Sequence, residues 1–407
     1  MSHKNLTESY LQGVTFEQLA VEQLVECLVK DAINQEASDI HVEPWDDSIV
    51  VRMRVSGQLV EWIHMPLELK EKISGRFKVI AGMASHLSGV PQDGKATLGE
   101  TFGMAQLRVS IIPTINGEKI VCRILDPSRR AFDINKLGID EKTLDVYVEL
   151  LDKPNGLILL NGPTGSGKTT VIYSSLCHLI NQHGTTISIA SVEDPVEVPV
   201  PTVSQVQLNP AADFHFAGAL RALMRQDPEV IMVGEIRDPE TAAIAVQAGL
   251  TGHLVISTVH SGTTAGVFAR LINMNIEPFL LASSLLGVLG MRLLRKNCEH
   301  CLELYHPSED LLNGLTQEQR ETAHFRRGRG CGSCQETGFA GQMPLTELMV
   351  VDDDIRDAVL QKRATRHIQQ IALEKGMPTL WDSGLRKALA GETTLEEVSR
   401  RMASDQF

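Results

Sequence analysis

The pattern of hydrophobic and polar residues predicts an α+β arrangement in the first third of the chain. Residues 16–35 (FEQLAVEQLVECLVKDAINQ) repeat apolar side chains at helical spacing and predict a helix. The segments SIVVRMRVSGQLVEWIHM and AQLRVSIIPTINGEKIVCRIL alternate around turns at 56–57 and near 116–117, so each predicts a β-hairpin. Between them, LELKEKISGRFKVIAGM has helical spacing. We expect this domain to end near residues 126–127.

A different pattern begins at residue 156. The runs GLILLNG, TTISIASVE, EVIMVGE and HLVISTV are apolar without alternation and are separated by longer segments. Such runs are typical of a parallel sheet that is covered on both faces, which predicts an α/β domain. A cysteine-bracketed insertion follows between 298 and 334, and from about 350 the pattern predicts short helices.

Composition narrows the class of protein. The 407 residues suggest two or three domains, and 38 basic against 51 acidic residues give a net charge of −13. This charge argues against a nucleic-acid partner. The start, MSHKNLTESYLQG, does not have the pattern of a signal peptide. The most apolar segment, FLLASSLLGVLGMRLL, is shorter than the roughly 20 residues that span a bilayer. We therefore expect a cytoplasmic protein with only peripheral membrane contact.

The segment LILLNGPTGSGKTT reads as a strand, a glycine-rich loop and a helix start, and it fits the P-loop pattern G-x-x-x-x-G-K-[ST]. Its glycines let backbone N–H groups converge on phosphates, Lys168 would neutralise them, and Thr169 would ligate Mg²⁺. The alternative is a glycine-rich turn without a nucleotide. The predicted nucleotide-binding residues are Gly162, Pro163, Thr164, Gly165, Ser166, Gly167, Lys168, Thr169 and Thr170.

A P-loop needs a partner at the end of a neighbouring strand to position the attacking water. Glu235 follows the apolar run of EVIMVGEIRD and is the candidate base; otherwise it is a solvated carboxylate at a strand end. SIASVEDPVE supplies Glu193, Asp194 and Glu197. These acids either hold Mg²⁺ waters, with Glu193 the preferred candidate, or solvate a turn.

Two histidines flank the run in LTGHLVISTVHSG. If this run is a strand, seven steps of about 3.3 Å place His253 and His260 roughly 23 Å apart. They therefore cannot share one metal ion, and their odd separation points them to opposite faces.

The second hairpin carries two arginines that fall on one face. Across a two-residue turn, paired positions sum to an odd number, which predicts that Arg108 and Arg123 fall on one face. Like charges that lie close together on a sheet repel, so an anionic group should compensate them. Either a carboxylate such as Glu118 or a phosphate in a cleft between domains or subunits would do so.

Four of the seven cysteines form two C-x-x-C pairs. In a reducing compartment this spacing favours a closed tetrahedral zinc site over disulfides; four unliganded thiols are the alternative. The predicted zinc ligands are Cys298, Cys301, Cys331 and Cys334.

Four ordered segments resemble a known family. GPTGSGKTT, SVEDPVE, RALMRQDPEVIMVGEIRDPETA and AGLTGHLVISTVH resemble the Walker A, Asp box, Walker B and His box of the secretion ATPases that drive type II secretion and type IV pilus assembly. ASDIHVEP, VPQDGK and LRVSIIPTINGEKIVCRILD are similar to the second N-terminal domain of that family. The resemblance covers most of residues 31–350.

The resemblance implies an α/β fold with a RecA-like P-loop NTPase core, an N-terminal α+β (PAS-like) domain and a small four-cysteine zinc insertion. It implies Glu235 as general base, Glu193 at the Mg²⁺ or water, and His260 as a sensor of the γ-phosphate. Arg108 and Arg123 would act like arginine fingers. For His253 a structural and a functional role stay open.

The implied domains are a helical segment (1–36), the α+β domain (37–128), a linker (129–145), the ATPase domain (146–296), the zinc subdomain (297–345) and a helical subdomain (346–407).

The implied function is a cytoplasmic homohexameric motor that hydrolyses ATP with Mg²⁺, carries structural Zn²⁺ and drives assembly of a type IV pilus or a type II pseudopilus. Its implied partners are a polytopic inner-membrane platform protein and a membrane-anchored docking protein, with no nucleic acid. The alternatives are a pilus retraction motor, a DNA-translocating relative and an inactive nucleotide-binding scaffold.

The sequence departs from the family pattern at three places. Only about 30 residues precede the shared region, which puts the docking partner in doubt. Gln342 occupies the place of an arginine, and SGTTA replaces Thr-Asn-Asp-Ala after His260. We expect the last two changes to alter coupling between subunits.

Overall fold

A computed structural model describes residues 5–99, 102, 105–125 and 132–403, and it divides into two compact units. The first comprises Met1–Arg130, Arg295–Glu303 and Arg327–Gln342, and the second comprises Ala131–Leu294, Leu304–Arg326 and Met343–Phe407. The two cysteine pairs therefore belong to the same unit as the N-terminal residues. The domain end expected near 126–127 lies outside the described residues.

The first unit is a six-stranded antiparallel sheet with helices packed on one face. Its helices are α1 (Leu6–Gly13), α2 (Val21–Asn34) and α3 (Lys70–Ile80). The sheet has the order β3-β2-β1-β6-β5-β4. Its strands are β1 (Asp39–Pro44), β2 (Ser48–Val55), β3 (Gln58–Pro66), β4 (Gln92–Thr97), β5 (Gln106–Thr114) and β6 (Gly117–Leu125).

Both predicted hairpins are confirmed: β2 pairs with β3 around 56–57, and β5 pairs with β6 around Ile115 and Asn116. The helix predicted over 16–35 is interrupted, because Leu19 and Ala20 are extended and α2 begins only at Val21. The sequence pattern did not predict α1. Asp31 of α2 holds it by accepting hydrogen bonds from the first-turn N–H groups of Leu6 and Thr7 at 2.9 and 2.8 Å.

The second unit is built on a seven-stranded sheet with the order β15-β12-β7-β11-β10-β8-β9. The four runs predicted as buried strands are confirmed as β7, β8, β10 and β11, and they pair in parallel. Its strands are β7 (Gly156–Asn161), β8 (Ile189–Glu193), β9 (Val203–Gln207), β10 (Val230–Val233), β11 (Leu254–Val259), β12 (Leu285–Asn297) and β15 (Phe339–Val350). The short strands β13 (Leu302–Leu304) and β14 (Arg326–Gly328) form a separate two-stranded sheet.

Both faces of the large sheet are buried. Leu157 and Leu159 of β7 pack in one hydrophobic cluster, and Ile158 and Leu160, on the opposite face, pack in another. Helices cover both faces, which explains why these strands have no polar alternation. The described helices of this unit are α4 (Glu141–Leu151), α5 (Lys168–His183), α6 (Phe216–Leu223), α7 (Pro239–Leu250), α8 (Gly266–Asn273), α9 (Pro278–Ser284), α10 (Glu309–Leu312), α11 (Gln317–Thr322), α12 (Asp353–Leu360), α13 (Thr365–Glu374), α14 (Leu380–Leu389) and α15 (Leu395–Ala403).

The apolar segment FLLASSLLGVLGMRLL forms helix α9 and the first part of strand β12. Among the described helices, none combines the length and the hydropathy that crossing a membrane requires.

Candidate nucleotide-binding site

The glycine-rich loop joins the end of β7 to the start of α5, as the P-loop pattern requires. A Cβ at Gly162 would lie 2.5 Å from the carbonyl oxygen of Met291, so only glycine fits there. Gly167 has φ +89° and precedes the first residue of α5, a left-handed conformation that favours glycine. Thr169 and Thr170 occupy the first turn of α5, where the helix N-terminus favours an anion.

Lys168 is buried and folded back onto its own loop. Its Nζ donates hydrogen bonds to the carbonyl oxygens of Gly162 at 2.7 Å and Pro163 at 2.9 Å. The pKa of Lys168 is lowered to about 8, chiefly by burial; the charge of Glu235 opposes this shift and that of Arg292 adds to it. In the same loop, the buried Oγ of Ser166 has no hydrogen-bond partner among the described residues. The loop thus presents a cation and an unsatisfied hydroxyl, which fits a bound phosphate.

Glu235 lies two residues after β10 and is held by β11. Thr258 Oγ1 donates to the carbonyl oxygen of Gly234 at 2.8 Å, and the N–H of Ile236 donates to the carbonyl of Thr258 at 2.9 Å. The Glu235 side chain is 16% exposed and pairs with Arg237. Its charge raises the pKa of both Lys168 and His260, so the carboxylate lies close enough to interact electrostatically with both groups.

His260 follows the last residue of β11 and lies at the same end of the sheet. Burial lowers its pKa, the charge of Lys168 lowers it further, and Glu235 and a hydrogen bond to the Gly162 backbone raise it. The imidazole is therefore neutral at neutral pH and touches the P-loop. Lys168, Glu235 and His260 come from three separate sequence segments, and the fold brings them together.

Glu193, the last residue of β8, is buried in a different hydrogen-bond network. Its oxygens accept from the hydroxyl of Tyr173, from Ser191 Oγ at 2.5 Å and from Gln205 Nε2 at 3.1 Å. These contacts fix the carboxylate within the protein, and the assignment of Glu193 to Mg²⁺ or water stays a prediction.

His253 contacts the end of a helix. Its Nδ1 lies 3.1 Å from the carbonyl oxygen of Ala248 in the last turn of α7, and its backbone N–H donates to the same oxygen at 3.2 Å. This contact caps the helix, and it gives His253 a structural role that the sequence left open.

Two residues near the loop were missed by the sequence patterns. Asn161 ends the otherwise apolar β7, and its Oδ1 accepts from the backbone N–H of Ser261 at 2.7 Å. Arg292 is 7% exposed and acts electrostatically on Lys168. Both could have been noticed as polar residues inside apolar runs, since a buried polar group needs a partner.

The first unit carries a row of charged residues across five strands. Arg108 and Arg123 are directly paired, which confirms that they share a face. In the strand register, Arg123 of β6 also lies opposite Asp39 of β1, and Arg108 of β5 lies opposite Lys95 of β4. Arg54 of β2 lies on the other side of Asp39. This cationic row has four cations and one carboxylate: Arg54, Asp39, Arg123, Arg108 and Lys95.

Asp39 compensates part of this charge. Its Oδ1 accepts from Arg123 Nε at 3.0 Å, and its Oδ2 lies 3.8 Å from Arg54 Nε. Glu118 is not the compensating group, because it binds Lys78 and Ser74 instead. Four residues of the row line an open cleft of about 480 Å³ that also includes Ser110 and Asp93: Asp39, Lys95, Arg108 and Arg123. Its cationic lining fits an anion.

The four predicted zinc ligands converge. All their sulfur atoms lie within 4.8 Å of one another, and three Sγ pairs are 3.9, 3.8 and 3.7 Å apart. A tetrahedron with metal–sulfur bonds of about 2.3 Å has edges of about 3.8 Å, so the arrangement fits Zn²⁺.

Comparison with known proteins gives a consistent result. Residues 16–400 match the model of the family described as type II/IV secretion system protein. The chain is 40% identical over 400 residues to the type IV pilus assembly ATPase PilB of Thermus thermophilus, and this match covers 98% of the chain and 45% of that relative. It is 43% identical over 380 residues to type II secretion system protein E of Pseudomonas aeruginosa, covering 93% of the chain and 74% of the relative. The chain thus spans less than half the length of the Thermus relative.

Two solved structures share the fold. The ATPase DotB of Legionella pneumophila has a TM-score of 0.70 at 17% identity, over 94% of this chain and 96% of that one. The pilus retraction motor PilT with bound ADP has a TM-score of 0.63 at 25% identity, over 92% and 95% of the two chains. Sequence, fold and site agree: the chain belongs to the type II/IV secretion system protein family.

Proposed function

We propose that this chain is an ATPase motor that assembles pilin-like filaments, either a type IV pilus or a type II secretion pseudopilus. The observation that carries the proposal is the convergence of Lys168, Glu235 and His260 at the carboxyl end of the parallel sheet. The names of the relatives support the choice of system, since they include both a pilus assembly ATPase and a secretion protein E.

The site residues divide the chemistry of hydrolysis among them. On ATP binding, Lys168 exchanges its carbonyl partners for phosphate oxygens, with Ser166 and the N–H groups of α5 completing the cradle. Glu235 orients the attacking water and accepts its proton, and neutral His260 donates to the γ-phosphate. Thr169 would hold Mg²⁺, which would supply charge neutralisation at the phosphates.

The cationic row completes the site in a homohexamer under this proposal. Arg108 and Arg123 reach the phosphates of a nucleotide bound by a neighbouring subunit and stabilise the transition-state charge, which requires that subunits cooperate. The direct cross-strand pairing of Arg108 with Arg123 in an open cleft supports this role. The four cysteines would hold a structural Zn²⁺ ion under the same proposal.

Subunit mixing tests this arrangement. Lys168→Ala and Arg108→Ala are each expected to be inactive alone, whereas a mixture assembles some interfaces with an intact P-loop facing an intact arginine, and it recovers part of the ATP turnover. If the mixture releases no more phosphate than the separate variants, the arginines do not act between subunits. Mixing Lys168→Ala with Lys168→Arg is the matched control, because it cannot restore an intact P-loop.

The platform partner is proposed to be a polytopic inner-membrane protein, so the motor works at the cytoplasmic face of that membrane. The fold shared with PilT keeps filament retraction as a second candidate. Expressing Glu235→Gln in a host strain distinguishes the two. Loss of filament formation supports assembly, whereas filaments that form but fail to retract support the second candidate.

A further inference from the structure

A buried hydrogen bond joins the loop after His260 to strand β15. Thr264 Oγ1 donates to Oε1 of Glu347 at 2.5 Å, and the two residues are 1% and 7% exposed. Gly290 of β12 makes room for this contact, since a Cβ there would lie 2.7 Å from Cγ2 of Thr264. The pair therefore sits in a tightly packed place where neither group can turn to solvent.

The carboxylate of Glu347 also reaches two helices. Its Oε2 accepts from the N–H of Leu380, the first residue of α14, at 3.3 Å. Gln369 of α13 lies 3.3 Å from Thr264 Oγ1. One hydroxyl carries one proton, and the Glu347 oxygen at the shorter distance accepts it. Glu347 thus connects the loop to the start of α14, with α13 alongside.

The other end of the same loop is fixed to the P-loop. Ser261 donates its N–H to Asn161 at 2.7 Å, and His260 hydrogen-bonds to the backbone of Gly162. Only Gly262 and Thr263 separate Ser261 from Thr264, and Thr263 Oγ1 accepts from the N–H of Gly266 at 3.0 Å. A segment so short and so fully bonded cannot shift at one end without shifting at the other.

We infer that Thr264 and Glu347 are positioning residues for His260, and that they carry the position of the nucleotide-facing loop to the N-terminus of α14. The inference rests on the proposed contact between His260 and the γ-phosphate. The hydrogen bond to the buried Glu347 is directional, so it fixes the loop in one place where an apolar contact of equal volume would allow it to slide. Thr264 belongs to the segment SGTTA, at which the sequence departs from the family pattern.

The test compares Thr264→Val with Thr264→Ser in the full chain. Valine keeps the shape and removes the donor, whereas serine keeps the donor. We expect Thr264→Val to lower kcat for ATP hydrolysis about tenfold or more, since a misplacement of about 1 Å costs up to two orders of magnitude, with KM for ATP changed less than about threefold. Thr264→Ser retains most of the activity. Wild-type kcat in Thr264→Val, or equal losses in both variants, would overturn the inference.

A double-variant comparison separates this inference from the proposed function. If Thr264 acts through His260, adding Thr264→Val to His260→Ala causes no further loss of kcat. Independent, multiplying losses would show that Thr264 does not act through His260. Wild-type turnover in His260→Ala alone would instead overturn the role of His260 itself.

Hydrogen exchange supplies a readout besides turnover. A non-hydrolysable ATP analogue is expected to slow exchange at residues 260–266 and at 380–384 in the wild type, but only at the first segment in Glu347→Gln. Unchanged coupling of the two segments in Glu347→Gln would contradict the link to α14.

Discussion

Lys168 donates a hydrogen bond to the carbonyl oxygen of Gly162, six residues before it, at 2.7 Å. The ammonium group is thus held by the loop that it would use to bind phosphate. Burial in this position lowers its pKa to about 8, although Glu235 acts in the opposite direction. A phosphate anion would favour the charged form, so nucleotide binding and protonation of Lys168 are linked.

This linkage predicts how ATP affinity depends on pH. Below about pH 8 Lys168 is already charged, so affinity is constant; above pH 8 the free protein loses this proton, which the bound state retains, and affinity falls by up to about tenfold per pH unit. Titration calorimetry from about pH 7 to 9.5 measures the affinity and the proton uptake. Lys168→Arg, which stays charged, is the control and should show no such fall. A wild-type affinity that is flat through pH 9 would contradict the linkage.

The cationic row predicts losses of activity without losses of stability. Arg108→Ala and Arg123→Ala are expected to lower kcat at least about 100-fold, because each removes charge that stabilises the transition state, while the melting temperature stays within a few degrees. Arg52→Ala on the same sheet is the matched control, since Arg52 pairs with Glu43 outside the row. Similar activity in all three variants would remove the row from catalysis.

The cysteine cluster predicts one tightly bound zinc ion per chain. Cys298→Ser and Cys331→Ser should lose the metal, lower the melting temperature by several degrees and speed exchange at Gly341, whose N–H donates to Ser56 Oγ at 2.7 Å in the same unit. Cys177→Ser, outside the cluster, is the control for loss of a thiol. Zinc content that does not change in the cluster variants would exclude the site.

The two histidines of LTGHLVISTVHSG predict opposite outcomes. His253→Ala removes a contact to the last turn of α7, so it should lower the free energy of unfolding by about 0.5–1 kcal/mol and leave turnover unchanged. His260→Ala should lower turnover and leave the free energy of unfolding unchanged. Denaturant unfolding and phosphate release, measured on both variants, test the division. A fall in turnover for His253→Ala at unchanged stability would contradict it.

Local patterns predicted much of this fold. Continuous apolar runs identified β7, β8, β10 and β11, and a two-residue turn predicted that Arg108 and Arg123 share a face. Their direct pairing depends on a turn at 115–116, one residue before the predicted position. Strands β12 and β15 were not predicted, because their apolar stretches show neither alternation nor turn signals. The break before α2 was also not predicted, because Leu19 and Ala20 fit a helical pattern. In the structure Ala20 is extended, and the hydroxyl of Tyr10 hydrogen-bonds to its backbone N–H and carbonyl groups.

The site could be predicted only where the chemistry depends on spacing along the chain. The P-loop and the cysteine pairs have fixed spacing, and Glu235 follows a strand. The carboxylate that pairs with Arg123 depends on strand order, so the sequence suggested Glu118 where the structure has Asp39. Thr264 and Glu347 are 83 residues apart and meet only through the packing of β12 and β15.

The variant Glu235→Gln separates ATP binding from hydrolysis, because it keeps the shape of the side chain and removes its basicity. ATP binding and phosphate release are measured on the same preparation, with Glu240→Gln as the matched control, since Glu240 pairs with Arg221 at the surface. If Glu235 is the base, ATP affinity stays within a few-fold of wild type and turnover falls at least about 100-fold, while the control stays active. Wild-type turnover in Glu235→Gln would contradict the assignment of this chain as an ATPase motor that uses Glu235 as its base.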